Sequence, residues 1–324
     1  MGTVQRIITG LSTAAVGSLG AASARFYVGS RRAERAWTGA RFPKLNDAGA
    51  VKRLSILPLI DWYADRDDLV GEPGVSYLIR ADDTNILLDT GLNQRGEHPA
   101  PLLRNMAALG IRLADINLLV ISHNHADHMG GRMGSVALSR GPVDLPDVPV
   151  FVPAPVKIPT ARPVVVEGPR CLATGVITTG PIANQDFMFG WTLEQSLAFN
   201  VEGKGIVIVI GCGHPGVDRI IGRVEMLLDA PIYGVVGGLH YPVTASRWMA
   251  GPLPFQKIFG TGKWPWKPIG REDVKMGMAS IGRRQPKLVA LSAHDSCDWS
   301  LDAFRREFPN SFQDVAVGRE IVVQ

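Results

Sequence analysis

Cysteine is scarce in this 324-residue chain. Only Cys171, Cys212 and Cys297 occur, an odd number at wide spacings, which excludes the disulfide framework typical of small secreted domains. We therefore expect reduced thiols in a cytoplasmic protein. Hydrophobic residues make up 46% of the chain and charged residues 20%, which excludes a disordered chain and indicates a globular protein with a substantial core.

Most of the chain also lacks an excess of positive charge. The whole chain has a net charge of +4 and a pI of about 9.0. Residues 1–48 hold seven basic and two acidic residues, so residues 49–324 sum to about −1. A nucleic-acid-binding domain needs a basic face of its own to neutralise phosphates. We therefore expect a small-molecule substrate and no nucleic-acid partner.

Charged residues are absent from residues 7–24, which lie within an N-terminal leader that we place at residues 1–48. The stretch approaches the length of a membrane span, but its glycines, serines and threonines make it only weakly apolar. Because arginines follow at once, the positive-inside rule favours an anchor or membrane-surface helix with the domain in the cytoplasm. A cleaved export signal and a mobile helical leader are the alternatives. If the segment is an anchor, deleting residues 1–48 is expected to release the protein from membranes without loss of turnover.

Residues 49–324 are expected to form one domain in which apolar strands alternate with helices. Short apolar runs such as INLLVIS (116–122) and GIVIVIG (205–211) predict buried strands. ADDTN (81–85) predicts the turn of a hairpin, and FQDVAVGREIVV (312–323) predicts a closing hairpin. Residues 248–270 show no periodicity and are expected to form a loop that carries aromatic side chains.

Histidine is scarce as well, with seven residues in the chain, and three of them lie within SHNHADHMGG (122–131). The first histidine of this segment follows a predicted strand, and so do His214, His240 and His294. Strand ends in α/β and sandwich folds meet at one edge, where binding sites form. These histidines are therefore expected to converge in space.

The spacing within HNHADH (123–128) suits metal binding. His123 and His125 are two residues apart, so an extended segment projects both to the same side. Asp127 and His128 come where the chain turns, and can face a second position close by. Imidazole and carboxylate bind zinc, iron and manganese, and two adjacent metals can activate a bridging hydroxide. Solvated loop histidines are the alternative, but unpaired imidazoles gain nothing from being clustered.

SHNHADHMGG resembles the HxHxDH motif of the metallo-β-lactamase-fold hydrolases, and ILLDTG (86–91) resembles the LxDTG strand end that precedes it in that superfamily. GCGHPG, GGLH and AHDSC are similar to the GCSHPG, GGFH and HCTG segments of its dihydropterin-ribofuranosylaminobenzene phosphate synthase-like branch. The resemblance covers roughly residues 50–324. It implies an α/β fold of the αββα sandwich type, in which two sheets pack face to face with helices outside.

The same resemblance implies two divalent metal ions as cofactors, with zinc expected and iron or manganese as alternatives. The implied ligand sets are His123, His125 and His214 for one metal, and Asp127, His128 and His294 for the other. Where the superfamily commonly has a bridging aspartate, this chain reads GCGH, so Cys212, His214 or water alone would bridge the metals. Asp127 is also expected to orient the hydroxide, His240 to move a proton at the substrate, and Asp89 to orient a ligand imidazole.

The implied activity is metal-dependent hydrolysis of an ester, lactone or phosphoester bond, with a metal-bridging hydroxide as the nucleophile. A pterin-related synthase and iron-dependent oxygen chemistry are alternatives on the same site. A non-catalytic binding or sensor protein is a further alternative. Trp248, Trp264 and Trp266 either form an apolar lid over the substrate or anchor their loop, and the oligomeric state stays open.

Overall fold

The strands of this protein place alternate side chains on opposite faces, and this alternation builds a layered fold. In β12 (Gly205–Ile210) the three isoleucines pack in a core shared with helices, whereas Val207 and Val209 pack between two sheets. The computed structural model describes residues 3–141, 147–158, 163–258 and 260–323.

The described part of the chain contains a long run of strands between its second and third helices. The helices are α1 (Thr3–Gly39), α2 (Pro101–Ala108), α3 (Val217–Leu227), α4 (Phe255–Ile258), α5 (Arg271–Gly282) and α6 (Asp298–Glu307). The other strands are β1 (Leu54–Ile60), β2 (Ser76–Ala81), β3 (Thr84–Leu88), β4 (Leu118–Val120), β5 (Val150–Val152), β6 (Pro163–Val165), β7 (Arg170–Ala173), β8 (Val176–Thr178), β9 (Ile182–Asp186), β10 (Gly190–Glu194), β11 (Leu197–Val201), β13 (Ile232–Gly237), β14 (Met249–Ala250), β15 (Leu253–Pro254), β16 (Leu288–Leu291) and β17 (Ile321–Val323).

Two mixed sheets form the centre of the molecule. The first has the order β17-β1-β2-β3-β4-β5-β6 and the second the order β16-β13-β12-β11-β8-β7. A core of residues from both sheets lies between them, α2 packs on the outer face of the first sheet, and α3, α5 and α6 pack on the outer face of the second. The αββα sandwich expected from the sequence is confirmed, as is the β2–β3 hairpin.

The predicted closing hairpin is wrong. β17 pairs with β1 from the other end of the chain, with Ile321 opposite Ile56. Val317 makes an isolated bridge to Ala64, and Phe312 makes one to Val289. An alternating pattern predicts which face of a segment is buried, but it does not say which strand lies next to it.

The N-terminal helix α1 packs against the domain over its second half. Phe26 and Ala33 are buried, and the helix lies along β9 and β10. The side chains of residues 3–18, which include most of the segment 7–24, lie outside the described residues. None of the helices in the described ranges is long and apolar enough to cross a membrane. The anchor or membrane-surface helix stays a prediction. The boundary after residue 48 stays a prediction.

Candidate metal centre

Six of the seven histidines converge at one edge of the sandwich, where strands β4, β12, β13 and β16 end. All six are buried; they are His123, His125, His128, His214, His240 and His294. The seventh, His98, is exposed and lies 2.8 Å from the Ser139 hydroxyl through its Nδ1. The predicted convergence of histidines at strand ends is therefore what the fold produces.

The three residues expected to hold one metal lie together. The Nε2 atoms of His123 and His214 are 3.1 Å apart, close to the separation of about 3.3 Å between two ligands of a tetrahedral metal. The His125 ring centroid lies 4.5 Å from that of His123 and 4.7 Å from that of His214. In the described part of the chain, the buried His125 Nε2 has no hydrogen-bond partner.

The residues expected to hold the other metal also lie together. The ring centroids of His128 and His294 are 5.3 Å apart, and the Asp127 Oδ2 lies 3.7 Å from the His128 Nε2. Among the described atoms, the Nε2 of His128 and that of His294 are buried without a hydrogen-bond partner. Buried polar atoms are rarely left unsatisfied, so these nitrogens fit metal ligands.

On four of these histidines, the other ring nitrogen, Nδ1, has a polar partner within the protein. On His128 it lies 2.7 Å from the Asp89 Oδ2, and on His214 it lies 2.5 Å from the Gly260 carbonyl. On His123 and His294 it lies 3.0 Å and 2.6 Å from serine hydroxyls. Because a carbonyl only accepts, the His214 Nδ1 carries the proton and its Nε2 keeps the lone pair that a metal needs.

Burial keeps most of these imidazoles in the neutral form that binds metals. It lowers the pKa of His125 to about 3 and holds the pKa of His123, His214 and His294 well below the usual 6.5. At His128 burial also disfavours the charged form, but the Asp127 and Asp89 carboxylates outweigh it and raise the pKa to about 9.

A cavity of about 120 Å³ opens onto this cluster. Its polar wall is formed by His125, Asp127, Cys212, His214 and His240, and its apolar wall by Met133, Phe189, Trp248 and Phe255. Trp264 and Trp266 stack on each other with centroids 4.8 Å apart, and both contact Phe187 outside the cavity. Of these three tryptophans, Trp248 lines the cavity and the other two do not. A role of Trp248 as a lid over the substrate stays a prediction.

Comparison with known proteins agrees with this geometry. A sequence profile of the metallo-beta-lactamase superfamily matches residues 69–137, which include the HNHADH segment. The part of the chain that carries these histidines is therefore similar to the metallo-β-lactamase superfamily.

The chain is similar to one relative in sequence and to two solved structures in fold. The chain is 27% identical over 241 residues to the 7,8-dihydropterin-6-methyl-4-(beta-D-ribofuranosyl)-aminobenzene-5'-phosphate synthase of Methanocaldococcus jannaschii, covering 60% of this chain and 80% of the relative. It shares the fold of Tm1679, described as a metal-dependent hydrolase of the beta-lactamase superfamily. The TM-score is 0.58 and the identity 20%, and the match covers 84% of this chain and 99% of Tm1679. Zn²⁺-bound PqqB from Methylobacterium extorquens matches with a TM-score of 0.50 and 9% identity, and the match covers 82% of this chain and 99% of PqqB.

Glu194, which lies outside the superfamily motifs quoted above, positions part of the site. One of its carboxylate oxygens accepts the backbone N–H groups of Cys212 and Gly213, at 3.1 and 2.7 Å, and the other accepts that of His214 at 2.8 Å. Burial raises the pKa of Glu194 to about 7. This residue holds the turn after β12, and sequence reasoning missed it because a lone glutamate at the end of β10 forms no motif.

Asp61, a second carboxylate that the sequence did not predict, positions the residues just before His294. Its Oδ1 accepts the Ala293 N–H at 3.1 Å and its Oδ2 accepts the Ser292 hydroxyl at 2.5 Å. That hydroxyl in turn contacts the His294 Nδ1. Asp61 directly follows β1, far from His294 in the sequence, so only the fold brings the two together.

The segment formed by residues 243–258 and 260–270, here called the lid, contacts the histidines through its main chain. The Gln256 carbonyl lies 2.9 Å from the His240 Nε2, and the Gly260 carbonyl accepts from His214. The Gly260 N–H donates to the Asp186 Oδ2 at 2.5 Å. His240 therefore lines the cavity, and its Nε2 faces a main-chain carbonyl of the lid. Its expected role in moving a proton stays a prediction.

Proposed function

We propose that this chain is a binuclear metal-dependent hydrolase that acts on a small-molecule ester, lactone or phosphoester. The observation that carries the proposal is the convergence of buried imidazoles, three of whose Nε2 atoms have no hydrogen-bond partner among the described residues. The described function of Tm1679 and the zinc in PqqB support the same chemistry on this fold. The two metals would be zinc, with iron or manganese as alternatives.

The histidines and Asp127 would hold two metals in the sets expected from the sequence. Such a pair, when bound, supplies an activated water and polarises the bond that breaks. Asp127 lines the cavity, where its carboxylate would orient that water. His240 also lines the cavity and would pass a proton to the leaving group.

The apolar wall of the cavity would select and shield the substrate. Phe189, Trp248 and Phe255 form a chain of ring contacts with centroids 5.0 to 5.8 Å apart, and Phe189 lies 5.1 Å from the His125 ring. A cavity of about 120 Å³ accommodates only a small group beside the reacting bond. We therefore infer that the substrate carries a compact apolar group next to that bond.

A pterin-related synthase is the second candidate, because the relative from M. jannaschii carries that name. A cavity of about 380 Å³ favours a larger substrate of this kind. It shares His214, His240 and Gly260 with the smaller cavity. Its other lining residues are both polar, such as Asn184, and apolar, such as Ile269.

Metal analysis combined with substrate panels tests the proposal. We expect the purified protein to bind two equivalents of zinc or manganese and to hydrolyse at least one compound of an ester, lactone and phosphodiester panel. Formation of a dihydropterin–aminobenzene conjugate without hydrolysis would favour the synthase. Firmly bound iron with oxygen uptake would contradict the hydrolase, and so would a metal-loaded protein without turnover, the result expected of a binding or sensor protein.

A further inference from the structure

The sulfur of Cys212 lies close to both groups of histidines. Its Sγ is within 4.8 Å of a ring nitrogen of His123 and of His214, and also of His128 and His294. In the described part of the chain, each of the two histidine groups that could hold a metal contains this sulfur atom.

The surroundings of Cys212 differ from those of a cysteine that merely fills a core. The side chain is 1% exposed, but its sulfur lies 3.3 Å from the His240 Nδ1 and 3.4 Å from the Asp295 Oδ2. Structural cysteines usually pack as small hydrophobic residues. A buried thiol among imidazoles and a carboxyl is instead in the environment of a metal ligand.

A third group of potential ligands, formed by Cys212, His240 and Asp295, is less suited to a metal because its other members already have partners. The Asp295 Oδ2 accepts the His240 N–H at 2.8 Å and its Oδ1 accepts the Ser296 hydroxyl at 2.9 Å. The His240 Nε2 lies at the Gln256 carbonyl. In the described part of the chain, His128 and His294, whose Nε2 atoms have no hydrogen-bond partner, belong to another of these groups.

We propose that Cys212 binds both metals through one shared thiolate. The inference rests on the proposed binuclear site. A thiolate has lone pairs for two metals, and coordination removes the thiol proton. The Glu194 carboxylate fixes the position of the sulfur through the Cys212 backbone.

Cobalt substitution tests the assignment by spectroscopy rather than by activity. The full-length protein loaded with Co²⁺ should show a thiolate-to-cobalt charge-transfer band in the near ultraviolet. Cys212→Ser should lose the band and bind the second equivalent of cobalt at least about tenfold more weakly. Cys212→Asp should lose the band but keep two equivalents, because a carboxylate can also bridge two metals.

The other two cysteines provide matched controls. Cys171→Ser, at an exposed site, and Cys297→Ser, at a buried one, should both keep the band and the stoichiometry. Two bound cobalt ions without a band in the wild type, or a band that persists in Cys212→Ser, would overturn the thiolate assignment even if the enzyme hydrolyses its substrate. A band without hydrolysis would overturn the proposed function alone, and a wild type that binds no cobalt would overturn both.

Discussion

Buried carboxylates set the positions of the ligand-bearing residues at this site. Glu194 accepts three backbone N–H groups of the turn that carries His214, and Asp61 holds the residues just before His294. Hydrogen bonds to a charged acceptor contribute about 1.5–3 kcal/mol each, and a buried acceptor cannot be replaced by water. The ligand geometry is therefore built into the folded chain.

Glu194→Gln should weaken metal binding and lower stability. The amide keeps one acceptor oxygen but turns an NH₂ donor toward a backbone N–H, so we expect a loss of about 2 kcal/mol in the free energy of unfolding. Urea unfolding and zinc titration measure the two effects. Glu202→Gln, on the exposed turn after β11, is the matched control and should change neither quantity; equal effects in both variants would refute the positioning role.

His125→Ala should remove metal while the fold persists, because its Nε2 faces the site without a partner in the described structure. Metal content by plasma emission spectrometry and far-ultraviolet circular dichroism report the two properties. His98→Ala removes an exposed histidine and should keep full metal content. A metal-replete and active His125→Ala protein would contradict the ligand assignment.

The sequence predicted the convergence of the histidines because each of them follows a strand whose apolar run is visible by itself. Asp89 was also expected beside a ligand imidazole, and it lies 2.7 Å from the His128 Nδ1. Glu194 and Asp61 could not be predicted, because their partners are main-chain N–H groups and hydroxyls brought near by strand pairing. Such contacts leave no residue pattern.

The lid acts as an element that completes the site through close main-chain contacts. Gly260 has a φ of +83°, and a Cβ placed there would lie 2.8 Å from the His240 ring and 3.0 Å from the His214 ring. Only glycine lets the chain approach both rings this closely.

Gly260→Ala should displace the lid and release the His214 Nδ1 from its carbonyl partner. We expect metal affinity to fall about tenfold or more, as found when the outer partner of a ligand histidine is lost. Gly251→Ala is the control, since Gly251 also has a positive φ, of +60°, but no atom lies within 4 Å of its added Cβ. Both variants carry the conformational strain, so equal affinities measured by competition with a chelator would contradict the lid contact.

Trp248→Ala should change substrate selection, because this side chain forms part of the apolar wall of the cavity. The ratio of kcat/KM for a bulky over a small substrate should rise about tenfold or more. Trp266→Ala removes the same side chain from the same lid at a position that is 62% exposed and outside this cavity. An unchanged ratio in Trp248→Ala, or an equal change in Trp266→Ala, would show that the wall does not select the substrate.

At the scale of the whole molecule, the N-terminal helix is connected to the lid by aromatic contacts. The Phe26 ring lies 4.5 Å from that of Trp264 and 5.6 Å from that of Phe187, and Arg25 donates to the Phe187 and Met188 carbonyls. These contacts revise the expectation that residues 1–48 can be deleted without loss of turnover. The sequence did not predict them, because weak amphipathicity in a leader does not say what the helix packs against.

Phe26→Ala should destabilise the protein by about 3 kcal/mol, the usual cost of truncating a buried aromatic ring. Removing the ring also loosens the packing of Trp264, so turnover should fall as well. Thermal unfolding and kcat measure the two effects. Tyr27→Ala, at the next position and 57% exposed, should be neutral in both; a neutral Phe26→Ala would show that the helix does not brace the lid.

The lid holds two histidines by peptide carbonyls, which every amino acid possesses. Apart from Gly260, its residues can therefore be exchanged without removing the groups that orient those rings. The apolar residues that line the cavity belong partly to the same segment. The fold thus separates the requirement for a stable reactive centre from the choice of substrate, so a library randomised at Trp248 and Phe255 could be screened for new specificities while the metal site stays the same.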